Sequence, residues 1–258
     1  MGLNSFAAGK KMKRLTLSLT TTVFLLAPKI ASAITLPTVR FGLEQTKGPE
    51  QMATVLQILL LLTVLSVAPA LLLMVTSFTR LVIVFSLLRH ALGTQQTPPN
   101  QVLIALALFL TFFIMKPVFS QAYNQAISPY LAGEIGDQEF FRDVVKPFRE
   151  FMFKNTRKKD LALMIRLSGA PKPENKEDVS TLTLIPAFMI SELRTAFEIG
   201  FLLYIPFLII DMVVASVLLS MGMMMLPPVM ISLPIKVLLF VLVDGWHLLV
   251  GSLVKSFG

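Results

Sequence analysis

Six charged side chains lie in the apolar segment from Leu182 to Val254 of this 258-residue chain, and they are its clearest candidates for chemistry. They are Glu192, Arg194, Glu198, Asp211, Lys236 and Asp244. A segment this apolar is suited to a membrane, where each charge at the bilayer centre costs about 2.5 to 3.5 kcal/mol, so these residues cannot all face lipid. Two kinds of chemistry fit them: ion pairs that join helices or subunits, or a relay that carries protons or ions.

The spacing of these charges favours pairing. Arg194 and Glu198 are four residues apart on one helical face, and Lys236 and Asp244, eight residues apart, are also predicted to share a face. Asp211 and Lys236 lie at comparable heights on the two arms of a hairpin, where they are placed to pair. Because a proton relay usually uses an unpaired carboxyl group, we favour the structural interpretation. In the alternative, Glu198 or Asp211 is the titrating group.

The sequence has few of the residues that catalysis or cofactor binding requires. The chain has no cysteine, which excludes disulfides, thiolate metal sites and cysteine nucleophiles, and its two histidines, His90 and His247, are far apart in sequence. It has no glycine-rich phosphate loop of the Walker type, and no nucleophile, base and orienting group form a convincing set. We therefore predict no catalytic, cofactor-binding or metal site, and a membrane-bound enzyme ranks last among the functions considered.

A methionine-rich segment forms the tip of the last hairpin. Its members are Met221, Met223, Met224, Met225 and Met230, around Gly222, Leu226, Pro227 and Pro228. Ordinary core packing explains most methionines, but a regular helix cannot bury three consecutive ones on one face, and the glycine and prolines indicate a non-helical turn. Methionine is unbranched and adaptable. Several copies of this tip around one axis would form a deformable apolar constriction, which points to a gate.

The elements that must position these residues are hydrophobic helices. The chain is 55% hydrophobic and 15% charged, with a mean hydropathy of +0.75, which is typical of a membrane-inserted protein. We predict an all-α fold of membrane-associated helical hairpins with about four hydrophobic segments. The first hairpin covers residues 51–118, with a spanning helix from Met52 to Met74 and a turn from Gly93 to Asn100. The second hairpin covers residues 181–258 and carries the methionine tip.

A polar insert at residues 119–180 separates the two hairpins. Residues 116–178 contain 11 basic and 9 acidic side chains without the aromatic and basic stripe of a stacking surface, which disfavours nucleic-acid binding. Apolar residues recur within the insert at the spacing of an amphipathic helix. They are Phe141, Val144, Phe148, Phe151 and Met152. We predict a small, water-exposed helical subdomain.

The first 33 residues have the three-part pattern of a secretory signal peptide. A basic cluster from Lys10 to Arg14 precedes the apolar stretch Leu15 to Ala27, and the small residues Ala31 and Ala33 predict cleavage after Ala33. Five of the 23 Lys and Arg residues lie in this segment and no acidic residue does, so 18 basic and 15 acidic residues remain and the net charge falls from +8 to +3. Residues 34–50 then form an N-terminal segment outside the membrane, and the polar insert is periplasmic.

Several long motifs run through both hairpins. In the first they are Thr76 to Leu81, Ser86 to Arg89 and Leu92 to Val102; in the second they are Ser191 to Leu193, Ala196 to Phe197, Ile199 to Phe201, Pro206 to Asp211, Val213 to Ser216, Ser220 to Met225 and Leu242 to Trp246. This set resembles the FliP family, the export-gate proteins of flagellar type III secretion. The string from Gly93 to Asn100 resembles the flagellar branch more than the injectisome branch.

The resemblance implies an oligomeric, pore-forming assembly: a homopentamer of this chain joined by FliQ and FliR, working with other export-apparatus proteins. Such an assembly would lie in the bacterial inner membrane, in the flagellar basal body, and would conduct unfolded flagellar proteins. By resemblance, Met223, Met224 and Met225 map onto a gasket that seals the closed pore, and the six hairpin charges become determinants of assembly. The alternative from another class is a small ion- or proton-coupled transporter that uses the intramembrane carboxylates.

Overall fold

The computed structural model describes residues 49–94, 96–169, 171, 173–223 and 225–258, with side chains from Val55 onward. The predicted signal peptide with its cleavage site at Ala33, and the N-terminal segment up to residue 48, lie outside the described residues. The described part is built from helices and turns without a strand, so the all-α prediction is confirmed.

Nine α-helices follow one another along the described chain. They are α1 (Pro49–Met74), α2 (Phe78–Ala91), α3 (Asn100–Ala122), α4 (Ser128–Leu131), α5 (Asp137–Asn155), α6 (Lys158–Leu167), α7 (Thr181–Ser220), α8 (Pro228–Leu242) and α9 (Gly245–Lys255). One π-helical segment, Tyr123–Ile127, joins α3 to α4.

Three of the described helical segments are long and apolar enough to cross a membrane, namely Val55–Met74, Asn100–Leu131 and Thr181–Ser220. Helices α8 and α9 form a fourth candidate span that bends by 65° between them. The prediction of about four hydrophobic segments is therefore confirmed. None of the residues in the most apolar window of α1 is buried, whereas α3 and α7 are partly buried.

Two apolar clusters hold most of the helices after α1 together. The first surrounds Leu81 and Phe85 of α2 and takes side chains from α3, α7, α8 and α9. The second joins α3, α5 and α7 through Met115, Phe151 and Phe188. Helix α5 buries Phe151 and Met152 as its periodicity predicts, but Phe141 is 67% exposed and its ring contacts only the neighbouring Phe140 among the described aromatic rings. The apolar stripe therefore packs only in the second half of α5.

Helices α2 and α7 approach closely at a glycine. A Cβ atom on Gly200 would lie 2.2 Å from the Leu87 Cδ1 atom and 3.1 Å from its Cβ, so a larger residue would have to push the two helices apart. This contact places α2 alongside the first half of α7 and brings its polar residues within reach of those of α7.

The bend between α8 and α9 is fixed by two adjacent residues. Asp244 has a left-handed backbone (φ 51°), which is uncommon for a residue other than glycine. A Cβ on Gly245 would lie 2.2 Å from the Phe240 ring, so the bend needs a glycine there. The prediction that Lys236 and Asp244 share one helical face is wrong, because α8 ends at Leu242 and the chain changes direction between the two charges.

Candidate functional site

A buried ion pair joins α2 to α7. Arg80 donates from Nε to Glu192 Oε2 at 2.8 Å and from Nη2 to Oε1 at 2.5 Å, so the contact is bidentate. The Arg80 and Glu192 side chains are 3% and 0% exposed. Removing one partner of such a pair leaves a buried charge without compensation, which typically costs about 3 to 5 kcal/mol.

The same guanidinium also binds a residue that follows α9 and the last residue of α5. Arg80 Nη1 donates to the Ser256 carbonyl oxygen at 3.0 Å and to Ser256 Oγ at 2.8 Å, and Nη2 reaches Asn155 Oδ1 at 3.4 Å. The Phe257 ring lies 3.6 Å from the Arg80 Cζ atom, in a cation–π contact. One side chain therefore connects four parts of the chain.

The sequence pattern places Glu192 among the predicted charges without identifying its partner, and Arg80 is not among those charges. Arg80 is instead a core residue. A signal was available, because Arg80 is the only charged residue between Gln51 and Leu88. A lone cation in so apolar a stretch predicts a buried carboxylate partner.

A second polar cluster attaches the insert to α7 next to this ion pair. Arg157 binds Asp160 in a bidentate contact, with both N–O distances at 2.9 Å, and Ser191 Oγ donates to Asp160 Oδ2 at 2.6 Å. The Arg157 backbone N–H donates to Ser191 Oγ at 3.0 Å. The guanidinium of Arg157, helped by the Ser191 hydroxyl, lowers the pKa of Asp160 below its ordinary value.

A third polar cluster lies within the second hairpin. Lys236 Nζ is 2.5 Å from Asp211 Oδ2 and donates to the Ala91 carbonyl oxygen at 3.2 Å, while Ser232 Oγ donates to Asp211 Oδ1 at 2.6 Å. Lys236 is 2% exposed and Asp211 is 30% exposed. The cluster therefore ties the two arms of the hairpin to each other and to the end of α2.

The other predicted charges lie on the surface. Arg194 Nε donates to Glu198 Oε1 at 2.7 Å, and these two side chains are 57% and 58% exposed. Asp244 is also exposed, and within the described residues its carboxylate has no hydrogen-bond or ion-pair partner. The structure thus brings the predicted charges together in two pairs, gives Glu192 a partner outside the predicted set, and leaves Asp244 without a partner among the described residues.

The methionine tip is apolar and exposed. Gly222 has a left-handed backbone (φ 74°) that ends α7, and the turn leads to Pro228 at the start of α8. Met225 is 99% exposed and Met223 is half-buried; Met224 lies outside the described residues. Met221 and Met230 are exposed too. Among the described residues no three His, Asp or Glu side chains are grouped so that they could hold a metal ion.

These features define a helical membrane protein whose helices are joined by internal ion pairs and whose last hairpin ends in an uncharged apolar tip. The model of the FliP family matches residues 61–253, and the chain belongs to that family.

Curated relatives agree over most of the chain. It is 59% identical over 212 residues to the flagellar biosynthetic protein FliP of Bacillus subtilis (strain 168), covering 82% of this chain and 96% of that one. The protein of the same name from Aquifex aeolicus (strain VF5) is 54% identical over 217 residues, which is 83% of this chain and 91% of the relative. That of Agrobacterium fabrum (strain C58) is 48% identical over 240 residues, or 92% and 97% of the two chains.

Proposed function

We propose that this chain is a component of the flagellar export apparatus and, more specifically, a pore-forming subunit of its export gate. Copies of the chain, five by resemblance, assemble with FliQ and FliR in the bacterial inner membrane and conduct unfolded flagellar proteins. Family membership supports the general role. The observation that carries the specific role is the exposed, uncharged methionine tip at the end of a hairpin that is otherwise held by buried ion pairs.

The chemistry of the tip suits a seal. No Asp, Glu, Lys or Arg occurs between Asp211 and Lys236, so the tip offers nothing to attract a hydrated ion. Methionine side chains are flexible and fill gaps of changing shape. Met225 has few contacts within its own chain, because almost all of its surface is free. Tips of several copies can therefore close on one another and still part around a passing polypeptide.

The base of the hairpin suits an anchor. Lys236 is eight residues beyond the start of α8 at Pro228, and Asp211 is nine residues before the end of α7 at Ser220, so their contact sits at about 12 to 14 Å from the tip at 1.5 Å per residue. The bond from Lys236 to the Ala91 carbonyl oxygen fixes this level of the hairpin to α2. Movement of the tip is then confined to the part beyond the pair.

The test is to replace Met223, Met224 and Met225 together by alanine in the assembled complex. We expect assembly to persist and the resting membrane conductance to rise, because three adaptable side chains are removed from the seal. Met212→Ala is the matched control, since Met212 is also exposed and lies on α7 away from the tip. Unchanged conductance in the triple variant would refute the gasket.

The alternative, an ion- or proton-coupled transporter, requires a carboxylate that gains and loses a proton. Glu198 already contacts Arg194, and Asp211 already contacts Lys236 and Ser232, an arrangement that favours a structural role over proton transfer. Purified chain in vesicles without partner proteins should show no proton flux on this view. Flux that is lost on Asp211→Asn would favour the transporter.

A further inference from the structure

Among the six charges predicted to do chemistry, Asp244 is the one that no side chain in the described chain neutralises. It lies at the bend between α8 and α9, where its backbone is left-handed (φ 51°), and it is exposed. The surface around it is apolar, because Val241, Leu242 and Val243 are all exposed. Charged residues within membrane spans pair with one another or face water, so a cation of a neighbouring polypeptide would neutralise this carboxylate.

The exposed pair of Arg194 and Glu198 on α7 has unused hydrogen-bond donors, whereas Asp244 has unused acceptors. Arg194 uses only Nε to bind Glu198, and within the described part of the chain its two Nη groups have no acceptor. A guanidinium carries five N–H donors, so most of its capacity is unused. Phe197 and Phe201, on the same helix, are exposed. Arg194 therefore offers unused donors between these exposed rings and the neighbouring Arg157–Asp160 pair, as Asp244 offers acceptors.

The two sites lie at comparable heights in the fold. Arg80 of α2 meets Glu192 of α7 and Leu87 meets Gly200, so the two helices run side by side in the same direction. Phe85, between those two α2 residues, contacts the ring of Trp246, with 6.4 Å between ring centroids. Asp244 is two residues before Trp246, which places it near the level of the Arg194–Glu198 pair.

The two sites also face different sides of one chain. Glu192 packs towards α2, and Arg194 is two residues further along, about 200° around the helix, so it points away from α2. Trp246, in contrast, rests on α2 itself. A contact between complementary sites on different sides of a subunit is a head-to-tail contact, which generates rings or helices of identical copies.

Other exposed cations of the hydrophobic helices fit less well. Lys116 follows Met115, which packs with Phe257 beyond the far end of α9, and Arg89 binds Asn100 beside the turn after α2. Both lie away from the level of Trp246. Lys255 is exposed too, but it ends α9, ten residues beyond the start of that helix at Gly245. Among these exposed cations, Arg194 matches Asp244 in height and in unused bonding capacity.

We infer that Asp244 of one copy binds Arg194 of a neighbouring copy, so that each Arg194 guanidinium bridges its own Glu198 and the neighbour's Asp244. This inference rests on the proposed function, because it requires several copies of the chain in one assembly. The exposed apolar residues around each site, with Phe197 on one side and Val243 on the other, form the rest of the contact.

Site-directed cross-linking tests the contact, and a chain without cysteine is well suited to it. Two differently tagged copies, one with Arg194→Cys and one with Asp244→Cys, are co-expressed with the partner proteins and treated with a short bis-maleimide. A disulfide would need Cα atoms within about 7 Å, which an Arg–Asp contact exceeds, so the linker is necessary. We expect a dimer that carries both tags.

The matched control pairs Lys116→Cys with Asp244→Cys, since Lys116 is an exposed cation at another height, and it should give no product. If cysteine at either site prevents assembly, Phe197→Cys and Val243→Cys replace them, because these residues flank the charges.

An assembled complex of normal size that yields no 194–244 or 197–243 product, or the same yield with Lys116→Cys, would overturn this contact and leave the proposed function intact. A product that joins Asp244→Cys to a different protein would also overturn it. Failure of the unaltered chain to form any homo-oligomer would overturn the proposed function as well.

Discussion

The two ends of the second hairpin are built on opposite principles. Around Arg80 and Glu192 every donor and acceptor of a charged pair is satisfied in a place that water does not reach. Around Met225 there is no charge and almost no contact within the chain. The Arg80–Glu192 pair is stable in one geometry only, since a shift would leave buried charges unpaired. The methionine tip can adopt many conformations.

This difference assigns the rigid and the adaptable parts of the protein. The Arg80 cluster and the Asp160–Ser191 cluster involve neighbouring residues of α7, so the insert, α2, α7 and the residues after α9 are fixed to one another at one level. The Lys236 cluster is a further set of charged contacts between helices, and it lies closer to the tip. Substitutions should therefore destabilise the protein less the closer they lie to Met225.

The largest expected loss follows from Arg80→Met. This change leaves Glu192 buried without any cation, and we expect about 3 to 5 kcal/mol of destabilisation, measured by denaturant unfolding of the purified protein in detergent. Glu192→Gln should cost less, because Arg80 keeps its contacts with Ser256 and Asn155. Arg80→Lys is the control for charge alone, and it should remain destabilising because lysine cannot form the bidentate contact. Equal losses of stability for Arg80→Met and Arg80→Lys would mean that the positive charge contributes nothing to stability.

A smaller and asymmetric effect is expected at the Asp211–Lys236 pair. Asp211→Asn leaves the ammonium of Lys236 buried with one carbonyl oxygen, whereas Lys236→Met leaves a partly exposed carboxylate that still binds Ser232. Asp211→Asn should therefore be the more destabilising change.

The double variant at that pair measures the interaction itself. Its loss should be less than the sum of the two single losses by about 0.5 to 3 kcal/mol in thermal or denaturant unfolding. Additive losses would show that the two groups do not interact despite their 2.5 Å contact.

How far these sites could be predicted from sequence depends on how local their determinants are. The hairpins and their turns follow from apolar runs and from Gly and Pro residues close in sequence. The Arg80–Glu192 contact joins residues 112 positions apart, which no periodicity in either helix specifies. The prediction that Lys236 and Asp244 share a face fails because it extends one helix through Asp244, although Asp244-Gly245 is a dipeptide typical of turns.

The attachment of the insert should depend on pH in the acidic range. The pKa of Asp160 is lowered in the folded protein by Arg157 and Ser191, so its stabilising contribution is present above the ordinary value of about 3.9 and is lost as the pH falls through the lowered value. Relative to Asp160→Asn, the unaltered protein should be more stable at neutral pH, and the difference should shrink below about pH 4. Unfolding curves of both proteins at several pH values measure it. A difference independent of pH would contradict this account.

The smallest effect is expected at the tip, and it separates stability from sealing. Met225→Leu should change the free energy of unfolding by less than about 0.5 kcal/mol, because the side chain is 99% exposed and surface substitutions rarely exceed that value. If the gasket proposal is right, the assembled complex should nevertheless leak ions, since leucine has nearly the size of methionine but is branched and less adaptable.

Met225→Gln, unbranched and of similar length but polar, separates shape from polarity. A leak with leucine but not with glutamine means that flexibility makes the seal, whereas the reverse means that apolar character does. A marked loss of stability with leucine in the isolated chain would instead show that the tip packs within one subunit, and the contrast between a rigid base and an adaptable tip would fail.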